Sequence, residues 1–290
     1  MRRQCLSVVL VGGLVCGMGA ILGSPSPEPQ ASAYPWLQSY DPAQGIENRI
    51  PVPEGFERMT LSTACFGDWL RRLPLKPGTP DVLLFNGQKK ANQTAHVAVV
   101  DIDVGGRDLQ QCADAVIRLR AEYLFARQRL GSIHFRLTSG DVLDFTKWCD
   151  GTRPLVTGNR VQWVKSQPSD WSYAEFRKYL DTVFQYAGSS SLSRELEAVK
   201  DVKGMKGGDV FIKGGSPGHA VLVVDMACDP RTGRKIFLLA QSYMPAQDIH
   251  ILKNPKDAKL SPWYDVEFGT ILYTPEWVFA WSELKRFAEE

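Results

Sequence analysis

The stretch that most constrains the fold is residues 208–250, GDVFIKGGSPGHAVLVVDMACDPRTGRKIFLLAQSYMPAQDIH. Residues 210–212, 220–225 and 235–240 are apolar, largely β-branched runs bounded by Gly, Pro and Asp, the pattern of strands separated by turns. They predict a three-stranded antiparallel piece. Asp229-Pro230-Arg231-Thr232-Gly233 is a turn sequence, and a hairpin pivoting there sets residues opposite one another whose numbers sum to about 462. On that register His219 faces Tyr243 and Gln241 faces Val221. Opposite residues share a sheet face, which makes His219 and Gln241 diagonal neighbours about 5 to 8 Å apart. A polar side chain is then placed to orient the imidazole. Asp225 falls on the same face but about 20 Å along a regular strand, which excludes it from that role. His219 itself follows the tight turn Gly214-Gly215-Ser216-Pro217-Gly218, at the loop-to-strand junction where catalytic groups often sit.

With 290 residues, 44% hydrophobic and 23% charged, the chain can bury a sizeable core. A net charge of +2 with no basic run gives no sign of nucleic acid as a partner. Met1-Arg2-Arg3 followed by an apolar, Gly-broken run and then a Pro-Ser segment reads as a signal peptide or N-terminal anchor over 1–23. The expected location is therefore periplasmic or extracellular, with membrane contact only through that segment if it stays uncleaved. Residues 24–50, rich in Pro, Ser and Ala, read as a flexible lead-in, and 51–290 as a single α+β domain. Removal of the signal leaves Cys65, Cys112, Cys149 and Cys228, which allow two disulfides in three connectivities or leave one thiol as a nucleophile. Their spacing lacks a CxxC pair, and no metal or cofactor is expected.

Taken in order, residues 63–73 read as a short helix ending at Pro74, and 81–85 and 96–104 as strands around an Asn86-Gly87 turn. The strongest helical pattern is 108–130, with Asp108 and Gln111 as a capping-box start and Leu109, Cys112, Val116, Leu119 and Tyr123 along one face. Cys112 lies in its first turn, where the helix N-terminus favours a thiolate, although a small Cys on an apolar helix face is ordinarily core. Residues 131–170 alternate like short strands and read as a β-rich insertion. Helices follow at 173–186, capped by Ser172, and at 191–199, with Ser189-Ser190-Ser191 as a cap. The C-terminus reads as one or two strands and a closing helix over 275–288.

Several motifs together carry a resemblance: DLQQCADAVIRLRAEYL at 108–124, WLRRLPLKP at 69–77, GDVFIKGGSPGHAVLVVDMA at 208–227, LLAQSYMPAQDIHIL at 238–252 and TPEW at 274–277. They resemble an exported bacterial family, domain of unknown function 4846, which implies no activity. More distantly, the order of a helix that starts with Cys, a Gly-Asp strand, a Gly-His strand and a strand with a polar residue is similar to the papain-like cell-wall peptidases of the NlpC/P60 and CHAP type. That likeness implies a papain-like core, an antiparallel sheet packed against helices, with Cys112 as nucleophile, His219 as its base and Gln241 holding the imidazole. Gln111 would support the oxyanion, and Trp148, Arg153, Ser242, Tyr243 and His250 would contact substrate, with the peptide stems of peptidoglycan as the natural target. The sequence departs from that pattern in two ways: Gln111-Cys112-Ala113 replaces Asp-Cys-Ser, and the span from Cys112 to His219 is long.

A competing reading is a non-catalytic envelope ligand-binding or scaffold protein on a peptidase-like fold, with Trp148, Arg153, Trp163 and Trp171 lining a groove. A metal hydrolase using His219 and His250 lacks any paired ligand motif.

Overall fold

The computed structural model describes residues 33–158 and 160–288. The expected signal or anchor segment, and residues 24–32 of the lead-in after it, lie outside the described residues. The rest of the expected lead-in is packed. Tyr34 is buried against Trp36, Tyr40 and Trp69, and Trp36 donates to the Asp101 carbonyl at 2.7 Å. Aromatic side chains among the Pro and Ser residues make this segment part of the core.

In chain order the elements begin with α1 (Ile46–Arg49), β1 (Glu57–Arg58), α2 (Phe66–Arg71), β2 (His96–Val99) and α3 (Cys112–Ala126). The middle holds β3 (His134–Arg136), β4 (Val142–Asp144), α4 (Phe145–Cys149), β5 (Thr152–Thr157), β6 (Arg160–Lys165), α5 (Tyr173–Tyr186), α6 (Ser189–Glu195) and β7 (Glu197–Ala198). The last third supplies β8 (Val210–Lys213), β9 (His219–Cys228), β10 (Lys235–Gln241), β11 (His250–Leu252), β12 (Tyr264–Asp265), β13 (Ile271–Tyr273), β14 (Val278–Ala280) and β15 (Leu284–Arg286). The fold is α+β, organised on a nine-stranded antiparallel sheet of order β2-β11-β10-β9-β8-β15-β7, with β1 added to β9 and β12 to β10.

The expected three-stranded piece, β8-β9-β10, is the centre of this sheet. β9 is buried along nine of its ten residues because both faces are covered. Ala220, Leu222, Val224 and Ala227 join the core beneath α2, α3 and α5, while Val221, Val223 and Met226 join a second core with Leu272 of β13 and Phe279 of β14. The β9–β10 register sums to 463 from Lys235↔Cys228 to Leu238↔Asp225, and to 462 at Leu239↔Val223 and Ala240↔Leu222. Val224 is the extra residue of a β-bulge. The bulge corrects the expected placement of Asp225. Instead of sharing the face of His219, its carboxylate turns to Arg71 of α2 and Arg58 of β1, both at 2.8 Å.

The helix expected over 108–130 starts at Cys112 and ends at Ala126. Asp108 cannot act as its cap because its Oδ1 accepts the Ala246 backbone N–H at 2.7 Å and the Gln111 side-chain amide at 3.0 Å. The start is closed one turn later, where the Gln111 backbone N–H donates to Asp114 Oδ2 at 3.2 Å. Almost the whole of α3 is buried, including Arg118, whose charge is met by Glu122 one turn on at 2.6 Å.

Elsewhere α5 and its Ser172 cap match the pattern, the Ser172 hydroxyl accepting from Glu175 N–H at 3.2 Å. The Ser-rich helix begins earlier than expected, at Ser189, after Gly188. The insertion contains the β3–β4 and β5–β6 hairpins with α4 between them. Residues 81–85 form isolated bridges rather than a strand. The closing helix expected over 275–288 is a correction as well. Leu284 pairs with Phe211 and Arg286 chelates the buried Asp209 at 2.6 and 2.8 Å, which draws this segment into the sheet as β15.

Candidate active site

Cys112 is the first residue of α3, where the amides of the opening turn have no partner within the helix. His219 is the first residue of β9. The two residues border one cavity of about 630 Å³, together with Gln111, the turn from Gly215 to Gly218, Ser189, Tyr243 and Trp277. The turn is held tightly. The Ser189 hydroxyl donates to the Gly215 carbonyl at 3.2 Å, and a β-carbon on Gly218 would lie 2.5 Å from that same carbonyl oxygen and 2.8 Å from that of Lys213. Only glycine fits directly before the histidine.

The imidazole and the thiol reach the cavity from opposite faces of the sheet. α3 packs over Ala220 and Leu222, so the Cys112 sulfur lies against the backbone amide of Ala220. His219 points with Val221 and Val223 to the other face, its ring 4.7 Å from Tyr243, 5.2 Å from Trp277 and 5.9 Å from Phe279. No hydrogen bond joins the thiol to the imidazole among the described residues. Burial pushes the Cys112 thiol up to about 11 against the pull of the Ala220 amide, and burial pushes His219 down to about 4 against the hydrogen bond it donates to the Gln241 oxygen. Both groups rest neutral near pH 7.

A hydrogen-bonded chain behind His219 fixes its protonation. His250 Nδ1 meets the Asp248 carbonyl at 2.8 Å, an oxygen that can only accept, so His250 carries its proton on Nδ1 and its Nε2 accepts. The Gln241 amide nitrogen then donates to His250 Nε2 at 3.3 Å and to Glu276 Oε2 at 2.8 Å. Its two hydrogens are used. The Gln241 oxygen therefore accepts from His219 Nε2–H at 3.0 Å, and Nδ1 of His219 is left as the basic nitrogen. Glu276 is held in turn by Lys90 at 2.7 Å and Asn92 at 3.3 Å, and the Lys90 ammonium sits 5.0 Å from the centre of the Tyr243 ring.

Of the residues expected in this site, Cys112, His219, Gln241, Gln111 and Tyr243 are brought together, and four are not. Trp148 and Arg153 line a separate polar cavity of about 600 Å³, where the guanidinium stacks 3.8 Å above the indole and both side chains bond Glu175. Ser242 is fully buried and donates to the Gln247 carbonyl at 2.8 Å, so it is a structural tie and not a substrate contact. His250, equally buried, acts behind Gln241. Trp163 and Trp171 are surface residues. The four cysteines of the described chain are free thiols. Among the described residues no group of three or more His, Cys, Asp or Glu is placed to hold a metal, and no helix is long and apolar enough to cross a membrane.

Glu276 and Lys90 are the members that the sequence reading missed. They are 186 residues apart, and the only sequence trace of this pairing is that Glu276 falls within the TPEW motif.

The model of domain of unknown function 4846 matches residues 46–286. The chain belongs to this family. The match spans the sheet, α3 and the β13–β14 hairpin, so every residue of the His219 chain described above lies inside the family domain. No curated protein and no solved structure matches the chain.

Proposed function

We propose that this member of the family is a cysteine hydrolase of amides with a papain-like arrangement of its catalytic groups, in which Cys112 is the nucleophile, His219 the base and Gln241 the residue that orients the imidazole. The observation that carries this reading is that a helix-start thiol and an imidazole with its Nε2–H held by Gln241 border the same cavity of about 630 Å³. In the reaction the Cys112 sulfur bonds to the amide carbon as its proton passes to His219 Nδ1. Collapse of the tetrahedral intermediate breaks the C–N bond while Nδ1–H protonates the departing amine, and water then cleaves the thioester with the same nitrogen as base. Because both groups rest neutral, proton transfer accompanies attack instead of preceding it, and general-base assistance of this kind contributes roughly 10²–10⁴-fold. Backbone amides at the start of α3 are the oxyanion donors. The Gln111 side chain is committed to Asp108 and supports that turn.

The cavity wall carries the Asp108 carboxylate and no lysine or arginine among the described residues, which suits a neutral or amine-bearing peptide amide. With the N-terminal segment read as an export signal, the peptide stems of the cell wall are the substrate class we assign. The test is release of new amino groups from purified stem peptides by the full chain. Cys112→Ala and His219→Ala should each abolish it while circular dichroism is unchanged, and full activity in Cys112→Ala would remove the mechanism. The elevated thiol favours a second reading, a peptide-binding protein without turnover. In that case iodoacetamide leaves Cys112 untouched under native conditions and Cys112→Ala binds the stems as well as the parent.

A further inference from the structure

The Gln241 side chain could face His219 with either end of its amide, and only one of them leaves Nδ1 basic. Presented oxygen-first, it accepts from Nε2–H. Presented nitrogen-first, it would donate to Nε2 and force the proton onto Nδ1, the nitrogen that takes the thiol proton in the proposed reaction. Two acceptors decide between these orientations: His250 Nε2 at 3.3 Å and the Glu276 carboxylate at 2.8 Å. The carboxylate is the shorter and the charged partner, and hydrogen bonds to charged groups are the stronger kind. It is also pinned in place, since Lys90, only 7% exposed, holds the same oxygen at 2.7 Å and Asn92 reaches the other oxygen at 3.3 Å.

We propose that Glu276, anchored by Lys90, is a positioning residue of this site: by fixing the Gln241 amide it sets His219 as the Nε2–H tautomer and keeps Nδ1 free to take a proton. The consequence for catalysis rests on the cysteine-hydrolase reading; the tautomer does not. Glu276 touches neither thiol nor imidazole and acts two hydrogen bonds away.

The test is the ring ¹⁵N spectrum of His219 in the full-length protein near pH 7, read alongside the rate of Cys112 alkylation by iodoacetamide. The wild-type ring should be protonated on Nε2 alone. In Glu276→Ala the amide loses its charged acceptor, and an Nδ1–H population should emerge. Alkylation should slow in proportion to the rings lost, by at most about twofold, because His250 Nε2 still accepts from the same amide. Glu276→Gln, whose amide oxygen still accepts from Gln241, should restore the Nε2–H ring. A wild-type ring protonated on Nδ1 overturns the proposal without any variant, which covers the case of a Glu276→Ala protein that does not fold. An unchanged ring in a folded Glu276→Ala overturns it too, as does a Glu276→Gln ring that stays mixed. A wild-type Cys112 inert to iodoacetamide at every pH sinks the hydrolase reading instead and leaves the tautomer result standing.

Discussion

Acidification should unfold this protein through its two linked imidazoles. His219 is 1% exposed and His250 fully buried; burial lowers them from 6.5 to about 4 and about 3, respectively. A histidine depressed in this way is neutral in the folded state and charged in the unfolded chain once the pH drops below 6.5. The unfolded state then binds more protons, so stability is complete above about pH 6.5 and declines as pH falls toward the folded values. Each pH unit in that window removes about 1.4 kcal/mol per ring, so going from 6.5 to 5 withdraws roughly 2 kcal/mol for each, against a total stability of about 5–15 kcal/mol. Buried carboxyls oppose the trend. Asp114, Asp209 and Asp225 are raised by desolvation, hold protons in the folded state above their unfolded range, and are therefore stabilising on acidification. The informative quantity is accordingly a difference between variants. Urea unfolding followed by tryptophan fluorescence at about pH 7, 6 and 5 should show His250→Gln losing less stability than wild type, by about 1.4 kcal/mol between pH 6 and 5 and less between pH 7 and 6, whatever its constant offset. Parallel wild-type and His250→Gln lines would refute the reasoning, since they would mean that the ring is not held neutral.

Gly218→Ala should shift the turn before His219, because its β-carbon would meet two backbone carbonyl oxygens at 2.5 and 2.8 Å as well as the Ser189 hydroxyl; thermal denaturation should show a loss of about 1–3 kcal/mol with the His219 ring resonances displaced. Arg286→Ala leaves the Asp209 carboxylate, 1% exposed, without its bidentate partner, and should cost about 3 kcal/mol by urea unfolding near pH 7, less on acidification as Asp209 takes up its proton.

The parts of this fold that were legible in the sequence are those whose partners are near in the chain. The hairpin between β9 and β10 turns at Asp229, where the Gly233 N–H donates to the Asp229 carbonyl at 2.8 Å, and that turn together with the one-residue slip at Val224 sets His219 beside Tyr243 and Gln241. α5 was legible because its Ser172 cap and its apolar face are local. What failed depends on remote partners. Asp108 looks like a helix cap until Ala246, 138 residues away, takes its oxygen. Residues 284–286 look helical until β8 offers an open edge for Leu284 and Lys285 to pair with. Trp148 and Arg153 have the composition of a binding groove, yet Glu175 of α5 draws both into a site of its own.

The bulge at Val224 shows how a single residue separates the chemistry of the two faces. Without it, Asp225 would share a face with His219, and Arg58 and Arg71 would have no buried carboxylate beneath α2. With it, the sum of paired residue numbers drops by one between Leu238 and Leu239, and Asp225 serves the helix layer. The face left to His219 then carries Gln241, His250 and Glu276, a chain in which every hydrogen between the Asp248 carbonyl and the imidazole is accounted for. A strand this deeply buried tolerates an extra residue only if both faces still pack, and Val223 and Val224 do so by entering different cores. The register slip therefore divides β9 between two tasks: its far end locks α2 to the sheet through an ion pair, and its near end presents a neutral histidine to the cavity beside Cys112.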